Sequence, residues 1–217
     1  MNPFYLVIPA AGIGLRSGRT GPKQFETVGG HSLLTLTLSR FLGHPALAGV
    51  MVALAPNQSP PDDFPVDPRI RLCVGGDTRA LSVLKACQAL PAPADAWVLV
   101  HDAARPFVTH DDIDALLDSL ADDRAVYLVG AVADTLRTHD GETLARERIH
   151  RVLTPQGARL GTLIRALGLP VTGTDEVSYL QAAGVPCVAV ESVGHNLKIT
   201  HPGDWALADA LARQPGF

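Results

Sequence analysis

The stretch over residues 4–25 constrains the fold more than any other part of this chain. Residues 4–8 (FYLVI) are a continuous run of apolar β-formers, which predicts a strand buried on both faces of a sheet. After Pro9 come four residues with almost no side chain, which let the backbone approach a ligand closely: Ala10, Ala11, Gly12 and Gly14. Arg16 and Lys23 then add two cations to the same loop. Bare backbone and positive charge at the end of a buried strand predict a phosphate site in an α/β protein.

This loop departs from two well-known nucleotide-binding motifs. The dinucleotide fingerprint needs a small residue three places after Gly14, where this chain has Ser17, and an acid after the second strand, where residues 56–57 are Pro-Asn. The P-loop needs glycine directly before lysine, but Pro22 precedes Lys23. The remaining interpretation is a long, basic loop that covers a triphosphate. An ordinary βα turn with two solvated cations is the alternative.

The composition excludes several classes of protein. With 217 residues, of which 47% are hydrophobic and 18% charged, the chain can bury a core and is too apolar for disorder. Aromatic residues make up 5% and the net charge is −4, which argues against a nucleic-acid partner. The cysteines show no metal-ligand spacing and predict free thiols: Cys73, Cys87 and Cys187. With no secretory signal or bilayer-length apolar run in view, we expect a cytoplasmic protein without a membrane partner.

Apolar periodicity predicts that strands alternate with helices along the chain. The later strands are expected at residues 50–54, 70–74, 97–101, 125–133, 185–190 and 196–200. Helices are expected at residues 32–42, at the end of 75–90, from Thr109 to Leu120, at 156–167, from a cap at Thr174 to Ala183, and at 204–213. This alternation predicts a Rossmann-like, mostly parallel twisted sheet flanked by helices, formed by a single domain over residues 1–217.

Two more loops at predicted strand ends carry residues suited to a nucleotide. Residues 75–90 (GGDTRALSVLKACQAL) begin with two glycines and lead into an amphipathic helix. The backbone at Gly76 and the Ser82 hydroxyl can contact a base, although a plain turn with a capping serine also fits. Asp102 follows the strand at its carboxyl end and is a candidate metal or ribose partner, with Arg105 as an ion-pair partner that orients it.

The segment from residue 134 to residue 154 has no helical periodicity. Its Asp140-Gly141 pair is a strong hairpin signal, and four arginines make the hairpin basic: Arg137, Arg146, Arg148 and Arg151. A two-stranded ribbon this polar has little core of its own. We therefore expect residues 134–153 to form a β-hairpin arm that packs against another subunit, with a loose surface hairpin as the alternative.

Eight blocks of the sequence resemble the family of 2-C-methyl-D-erythritol 4-phosphate cytidylyltransferases, nucleotidyltransferases of the non-mevalonate isoprenoid pathway. The blocks occur in the family's order from one end of the chain to the other: PAAGIGLR (9–16), GPKQF (21–25), GGDTRALSV (75–83), VHDAARP (100–106), DTLR (134–137), LTPQ (153–156), TDE (174–176) and NLKITHPGDWALA (196–208). The resemblance implies that CTP and methylerythritol 4-phosphate react to give the CDP-alcohol and pyrophosphate. It also implies a divalent cation, usually Mg²⁺, and a homodimer that exchanges arms.

The resemblance assigns roles to residues matching the family's motifs. Arg16 and Lys23 would stabilise the transition state, and Arg146 and Lys198 would position the substrate phosphate. Cytidine and phosphate contacts would come from Ala10, Ala11, Gly12, Gly76, Asp77 and Ser82, and the ribose and metal region from Asp102 and Ala103. The metal would be held mostly through the CTP phosphates, with Asp102 as its protein ligand. The substrate region would comprise Asp102, Arg105, Asp134, Thr135, Arg146, Thr174 and Lys198, with the hairpin residues reaching the partner's site.

The reaction and the departures from the family pattern narrow the expectations further. A phosphomonoester has a second pKa of about 6 and is already a nucleophile at neutral pH, so no general-base dyad is expected among the eight histidines. His150, Arg137 and Ser192 stand where the family commonly has other residues, so the arm's fit to its substrate is less constrained than CTP binding.

Three alternatives stay open: a cytidylyltransferase for another polyol phosphate such as ribitol 5-phosphate, a non-catalytic nucleotide-binding module, and a nicotinamide-dependent oxidoreductase.

Overall fold

Seven strands of the chain build one central sheet in the computed structural model, which describes residues 2–12 and 21–214. The strands of the described part are β1 (Phe4–Pro9), β2 (Thr27–Val28), β3 (His31–Ser32), β4 (Leu47–Leu54), β5 (Ile70–Val74), β6 (Trp97–Val100), β7 (Ala125–Ala131), β8 (His150–Arg159) and β9 (Cys187–Glu191). The sheet has the order β5-β4-β1-β6-β8-β7-β9, while β2 and β3 pair separately. Within the seven-stranded sheet, β8 runs antiparallel to both neighbours and the other pairs are parallel, while β2 and β3 are antiparallel to each other. The predicted mostly parallel sheet is confirmed.

Helices cover both faces of the sheet: α1 (Leu33–Leu42), α2 (Arg79–Ala89), α3 (His110–Ser119), α4 (Leu160–Leu167), α5 (Glu176–Ala182) and α6 (Asp204–Ala212). Side chains one residue before several of them accept a backbone N–H and so define where the helix begins: Ser32, Thr78, Thr109 and Asp175. The predicted cap at Thr174 is therefore wrong by one residue. None of the helices in the described ranges is long and apolar enough to span a bilayer.

The core divides according to the alternation of side chains along β1. Phe4, Leu6 and Ile8 point to one face, where they pack with α1 and α3. Val7 points to the other face, where it packs with α2, α4 and α5. Both faces of a strand that is buried on each side need apolar residues, which explains the uninterrupted FYLVI run. This packing fixes the carboxyl end of β1, where the glycine-containing loop begins.

Residues 156–159 are strand and not the predicted start of a helix. They complete β8 and pair with β6, with Ala158 opposite Val98. A Cβ on Gly157 would lie 2.5 Å from Cδ2 of Leu99, so the glycine allows close contact between the two strands. Helix α4 begins only at Leu160. The prediction was wrong because small residues such as Gly157 and Ala158 carry no periodic signal, while strand pairing decides their conformation.

Residues 196–200 do not form the predicted strand either. The segment makes a single ladder-like bond, from the Ile199 N–H to the Ala104 carbonyl at 2.9 Å, and Asn196 has a φ of 30°. It crosses the carboxyl edge of the sheet as an irregular loop. Its apolar residues had suggested a strand, but no neighbouring strand in the described part of the chain supplies a ladder there.

The predicted hairpin forms around Asp140-Gly141. Arg137 pairs with Thr143, the Thr138 N–H donates to the Glu142 carbonyl at 2.9 Å, and Gly141 has a φ of 96°. The returning limb includes a short 3₁₀ turn, Arg146–Arg148, before β8 begins. Most of its side chains are exposed. The hairpin therefore projects from the domain without a core of its own.

Candidate active site

A cavity of about 260 Å³ opens at the carboxyl ends of β1 and β6, where parallel strands place their following loops together. The predicted residues that line it come from five of the sequence blocks: Ala10, Ala11, Gly12, Lys23, Gly76, Asp77, Ser82, Asp102, Ala103 and Lys198. Pro9, Gln24, Thr78, Arg79 and Ala104 complete the lining. Arg16 lies outside the described residues. The structure thus brings together nearly all of the residues expected to contact CTP.

Two side chains hold the backbone that forms the nucleotide half of the cavity. The buried Gln24 amide donates to the Ala10 carbonyl at 2.6 Å. The Ser82 hydroxyl accepts the Gly76 N–H at 3.0 Å and lies in the second turn of α2, so Thr78 and not Ser82 caps the helix. A Cβ on Gly76 would lie 2.3 Å from Cγ of Leu81, which leaves no room for a larger residue. These contacts hold the backbone at Ala10 and Gly76 in place where it faces the cavity.

Asp102 is the centre of the charged half of the cavity. Its Oδ1 lies 2.9 Å from Nε of Arg79, and its Oδ2 lies 2.8 Å from Nζ of Lys198 and 3.5 Å from Nε of Arg105. Burial alone would raise the pKa of this carboxyl, but the three cations hold that pKa well below its usual range. Asp102 is therefore an anion that three positive side chains surround.

Arg79 and Glu176 are site residues for which the sequence suggested no role. Nη1 and Nη2 of Arg79 contact Oε1 and Oε2 of Glu176 at 2.6 and 3.0 Å, and the Glu176 side chain is 1% exposed. Burial would lower the pKa of the Arg79 guanidinium, yet the carboxylates of Glu176 and Asp102 raise it. Each residue opens a helix, and each lies in a block that carried the family resemblance. The sequence signal that could have identified both residues is a charged side chain in the first turn of a helix that follows a loop at a cavity.

A buried hydrogen-bond chain supports Asp102 from below. The Asp102 N–H donates to the Thr154 hydroxyl at 3.1 Å, and that hydroxyl lies 3.1 Å from Nδ1 of His101. Nε2 of His101 faces the Arg105 carbonyl at 2.9 Å, so Nε2 carries the proton and Nδ1 accepts from Thr154. Burial lowers the pKa of His101 to about 4, which keeps the ring neutral at physiological pH.

The two lysines of the cavity come from opposite ends of the chain. Nζ of Lys23 donates to the Ile199 carbonyl at 2.8 Å, which ties the first loop to the segment that carries Lys198. Arg105 holds the same segment, because its Nη1 donates to the Asn196 carbonyl at 2.9 Å. The side chain of Arg105 is only 9% exposed and is not part of the cavity lining. This fits a residue that orients Asp102 through an ion pair better than one that contacts the substrate.

Four of the predicted substrate residues lie away from this cavity. Asp134, Thr135 and Arg146 are exposed on the hairpin. There Nη1 of Arg146 donates to the Ala133 carbonyl at 3.4 Å, and its Nε lies 3.5 Å from Oε1 of Glu147. Thr174 lines a neighbouring cavity of about 290 Å³, which shares Thr78 and Arg79 with the first. Within residues 2–12 and 21–214, no cluster of three or more acidic, histidine or cysteine side chains is arranged to hold a metal ion by itself.

Comparisons by sequence and by structure match this chain to members of one family. The family model of IspD, 2-C-methyl-D-erythritol 4-phosphate cytidylyltransferase, matches residues 4–214. A protein of that name from Aeromonas hydrophila is 44% identical over 220 residues, which are 96% of this chain and 89% of the relative, and one from Pseudomonas putida is 44% identical over 93% of this chain and 92% of its own. The crystal structure of the Thermus thermophilus protein of that name superposes with a TM-score of 0.84 at 36% identity, covering 99% of this chain and 100% of the other. The Francisella tularensis structure gives a TM-score of 0.81 at 33% identity, covering 96% and 99%.

Proposed function

Because the chain belongs to the 2-C-methyl-D-erythritol 4-phosphate cytidylyltransferase family, it is an enzyme that forms the CDP-alcohol and pyrophosphate from CTP and 2-C-methyl-D-erythritol 4-phosphate, and we propose that the cavity beyond β1 and β6 is its active site. One observation carries the proposal. Lys23 and Lys198, which are far apart in sequence, meet at one cavity beside the ionised Asp102. Their convergence at a pocket that also presents backbone from two loops suits a reaction between two phosphate groups.

The chemistry requires charge neutralisation more than proton transfer. A phosphomonoester is mostly a dianion at neutral pH and attacks the α-phosphate of CTP without a general base. Its phosphate oxygen forms the new P–O bond while the bond to the β-phosphate breaks and pyrophosphate leaves. The protein has to overcome repulsion between anions, hold the reacting groups in line and neutralise charge on the leaving group.

Each lysine has a separate part in this scheme. Lys23, beside the glycine-containing loop, neutralises charge that develops on the α-phosphate and pyrophosphate, together with Arg16. Lys198, whose side chain is 40% exposed, binds the acceptor phosphate and places it for attack. The backbone at Ala10, Gly12 and Gly76 contacts the nucleotide, and the Ser82 hydrogen bond holds the Gly76 part of that surface in place.

Asp102 fits a magnesium ion that arrives bound to CTP. Mg²⁺ in such sites commonly takes one or two carboxylates, several waters and the substrate phosphates. Asp102 is one ionised carboxylate in the cavity, but both of its oxygens already contact cations, so it does not suit a metal held by protein ligands alone. When bound, the ion would supply further neutralisation of the phosphate charge. The residue that would hold it is Asp102.

The exposed hairpin supports a homodimer in which arms are exchanged. Arg146 is 58% exposed and lies away from its own chain's cavity, as do Asp134 and Thr135. A polar ribbon without a core gains stability only by packing against another surface. We expect Arg146 to reach the acceptor phosphate in the partner's active site. The two arms of a twofold dimer would then complete two equivalent sites.

Coexpression of two inactive variants tests arm exchange directly. Lys23→Ala and Arg146→Ala each disable one component of a site. If the arm crosses to the partner, each heterodimer contains one intact site, and random pairing restores about a quarter of the wild-type activity. If Arg146 acts within its own chain, mixing restores nothing, and that result would refute arm exchange. Separately purified variants, mixed without exchange, provide the baseline.

A single nucleotidyltransferase domain in the cytoplasm is the arrangement that we propose for residues 1–217. One sheet contains strands from both halves of the chain, since β6 from the first half lies next to β8 from the second. The three cysteines are free thiols, which suits a reducing compartment: Cys73, Cys87 and Cys187.

Pyrophosphate release tests the reaction itself. The purified chain, with CTP and Mg²⁺, should release pyrophosphate with methylerythritol 4-phosphate and much less with ribitol 5-phosphate. Lys23→Ala should lower turnover by about a hundredfold or more, as expected for loss of one transition-state donor. Arg165→Ala, which removes an exposed cation from α4, is the matched control and should keep full turnover. Preference for ribitol 5-phosphate, or near-full activity of Lys23→Ala, would refute the assignment.

A further inference from the structure

We propose that Arg79 is a positioning residue of the active site, held by the buried Glu176 so that it fixes the Asp102 carboxylate beside Lys198. The proposal rests on the proposed function, since it takes Lys198 to bind the acceptor phosphate. Arg79 opens α2 and Glu176 opens α5, so the pair also joins the nucleotide half of the site to the loop that carries Thr174.

Among the described residues, Arg79 is the side chain that pairs with the buried carboxylate of Glu176. Its side chain is 1% exposed, and Nη1 and Nη2 of Arg79 each donate to one of its two carboxylate oxygens. A buried carboxylate without a partner is strongly destabilising, so Glu176 holds the guanidinium in one orientation. Because the guanidinium is planar and rigid, that orientation also decides where Nε points.

Nε of Arg79 points at Asp102. The 2.9 Å contact occupies Oδ1, which leaves Oδ2 for Nζ of Lys198 at 2.8 Å. The third cation, Arg105, is 3.5 Å from Oδ2 and is engaged with the Asn196 carbonyl. Without Arg79, Lys198 is therefore the closest remaining partner of Asp102. The carboxylate would then hold that lysine more strongly, and an acceptor phosphate would have to compete for it.

The nucleotide half of the cavity does not depend on this contact. Ser82 holds the Gly76 backbone, and Gln24 holds the Ala10 carbonyl. Neither hydrogen bond involves Arg79. The expected consequence of losing Arg79 is thus selective. Binding and alignment of the acceptor change strongly, while binding of CTP changes less, because the backbone surface that contacts the nucleotide stays in place and only the carboxylate that would hold its metal ion is affected.

Arg79→Lys is the informative variant. It keeps a positive charge opposite Glu176, so the fold is retained, but one ammonium group cannot form two bonds to Glu176 and also reach Asp102. We expect kcat to fall by about tenfold and the KM for methylerythritol 4-phosphate to rise by about tenfold, with the KM for CTP within about threefold. The double variant Arg79→Leu/Glu176→Leu removes the pair without leaving a buried charge unpaired and should show the same pattern.

Asp67→Asn is the matched control, because it weakens another arginine–carboxylate pair, Arg69 with Asp67 at 2.8 Å, away from the cavity. Its kinetic constants should equal those of the wild type. Circular dichroism and thermal unfolding at one protein concentration establish that each variant is folded.

The difference between the change in acceptor KM and the change in CTP KM decides the proposal. A folded Arg79→Lys variant with unchanged kcat and acceptor KM would overturn it, and so would a KM for CTP that rises as much as the acceptor KM, which indicates general loosening of α2. The wild-type enzyme is assayed first. Absence of turnover there would refute the proposed function, and with it this inference, whereas an active wild type with an insensitive variant refutes the inference alone.

Discussion

Replacing His101 by glutamine should make the protein less sensitive to acid. His101 is fully buried and links Thr154, below Asp102, to the Arg105 carbonyl. Its ring also packs edge-on against Phe41, with 4.9 Å between ring centroids. Nδ1 accepts a hydrogen bond in the neutral form, so a proton on Nδ1 would take away the acceptor of the Thr154 hydroxyl proton. Glutamine can donate to the same carbonyl and cannot take up the proton.

The magnitude follows from the pKa of the buried ring. Burial lowers the pKa of His101 from 6.5 to about 4, so the unfolded chain binds the extra proton first as the pH falls. Stability is therefore fully present above the unfolded value and is lost progressively as the pH falls towards the folded value. At about 1.4 kcal/mol per pKa unit, the complete window is worth ~3 kcal/mol. Between about pH 7.5 and about pH 5, ~2 kcal/mol of it should be lost.

Urea unfolding followed by circular dichroism at these two pH values measures the effect. Wild type and His101→Gln are compared at the same protein concentration, because association with a second chain would change the apparent stability. The variant should be less stable at neutral pH, since it loses packing against Phe41, but its stability should fall by ~2 kcal/mol less on acidification. An equal fall in both proteins would show that His101 is not kept neutral by burial and would refute the reasoning.

Two further predictions concern packing and capping, and both are measured by urea unfolding at neutral pH. Gly157→Ala should cost about 1–3 kcal/mol, because its Cβ would lie 2.5 Å from Cδ2 of Leu99, while Gly203→Ala, with nothing within 4 Å and a φ of −66°, should stay within about 0.5 kcal/mol. Asp175→Ala should cost about 1 kcal/mol through loss of the α5 cap, and Thr174→Ala should cost almost nothing. If the two variants of a pair lose the same free energy of unfolding, the contact invoked for the more damaging variant does not stabilise the fold as inferred.

Much of the fold could be predicted because the deciding patterns are local. The FYLVI run predicted a strand buried on both faces, and β1 does place apolar side chains in the core on each side of the sheet. Ser32 and Thr109 lie before amphipathic segments and cap α1 and α3. These patterns report how one segment meets the core, and each is contained within a few residues of sequence.

The failures share a physical cause. Residues 156–159 are strand because β6 and β7 offer backbone partners on both sides. Residues 196–200 are irregular because no strand of the described chain lies alongside them, even though their pattern is apolar. In both segments the conformation depends on neighbours that are distant in the chain, and local propensity is too weak to decide it.

Local patterns of residues were sufficient to predict the alternation of strands and helices, the glycine-containing loop and the family to which the motifs point. Which charges meet could be known only from the folded chain. Lys198 pairs with Asp102 across 96 residues, and Arg79 pairs with Glu176 across 97. Such contacts depend on the order of strands in the sheet, which brings the carboxyl ends of β1 and β6 together. They depend also on the path of residues 196–200, which cross that edge of the sheet. Their energy depends on burial, since the same pairs in water would contribute little.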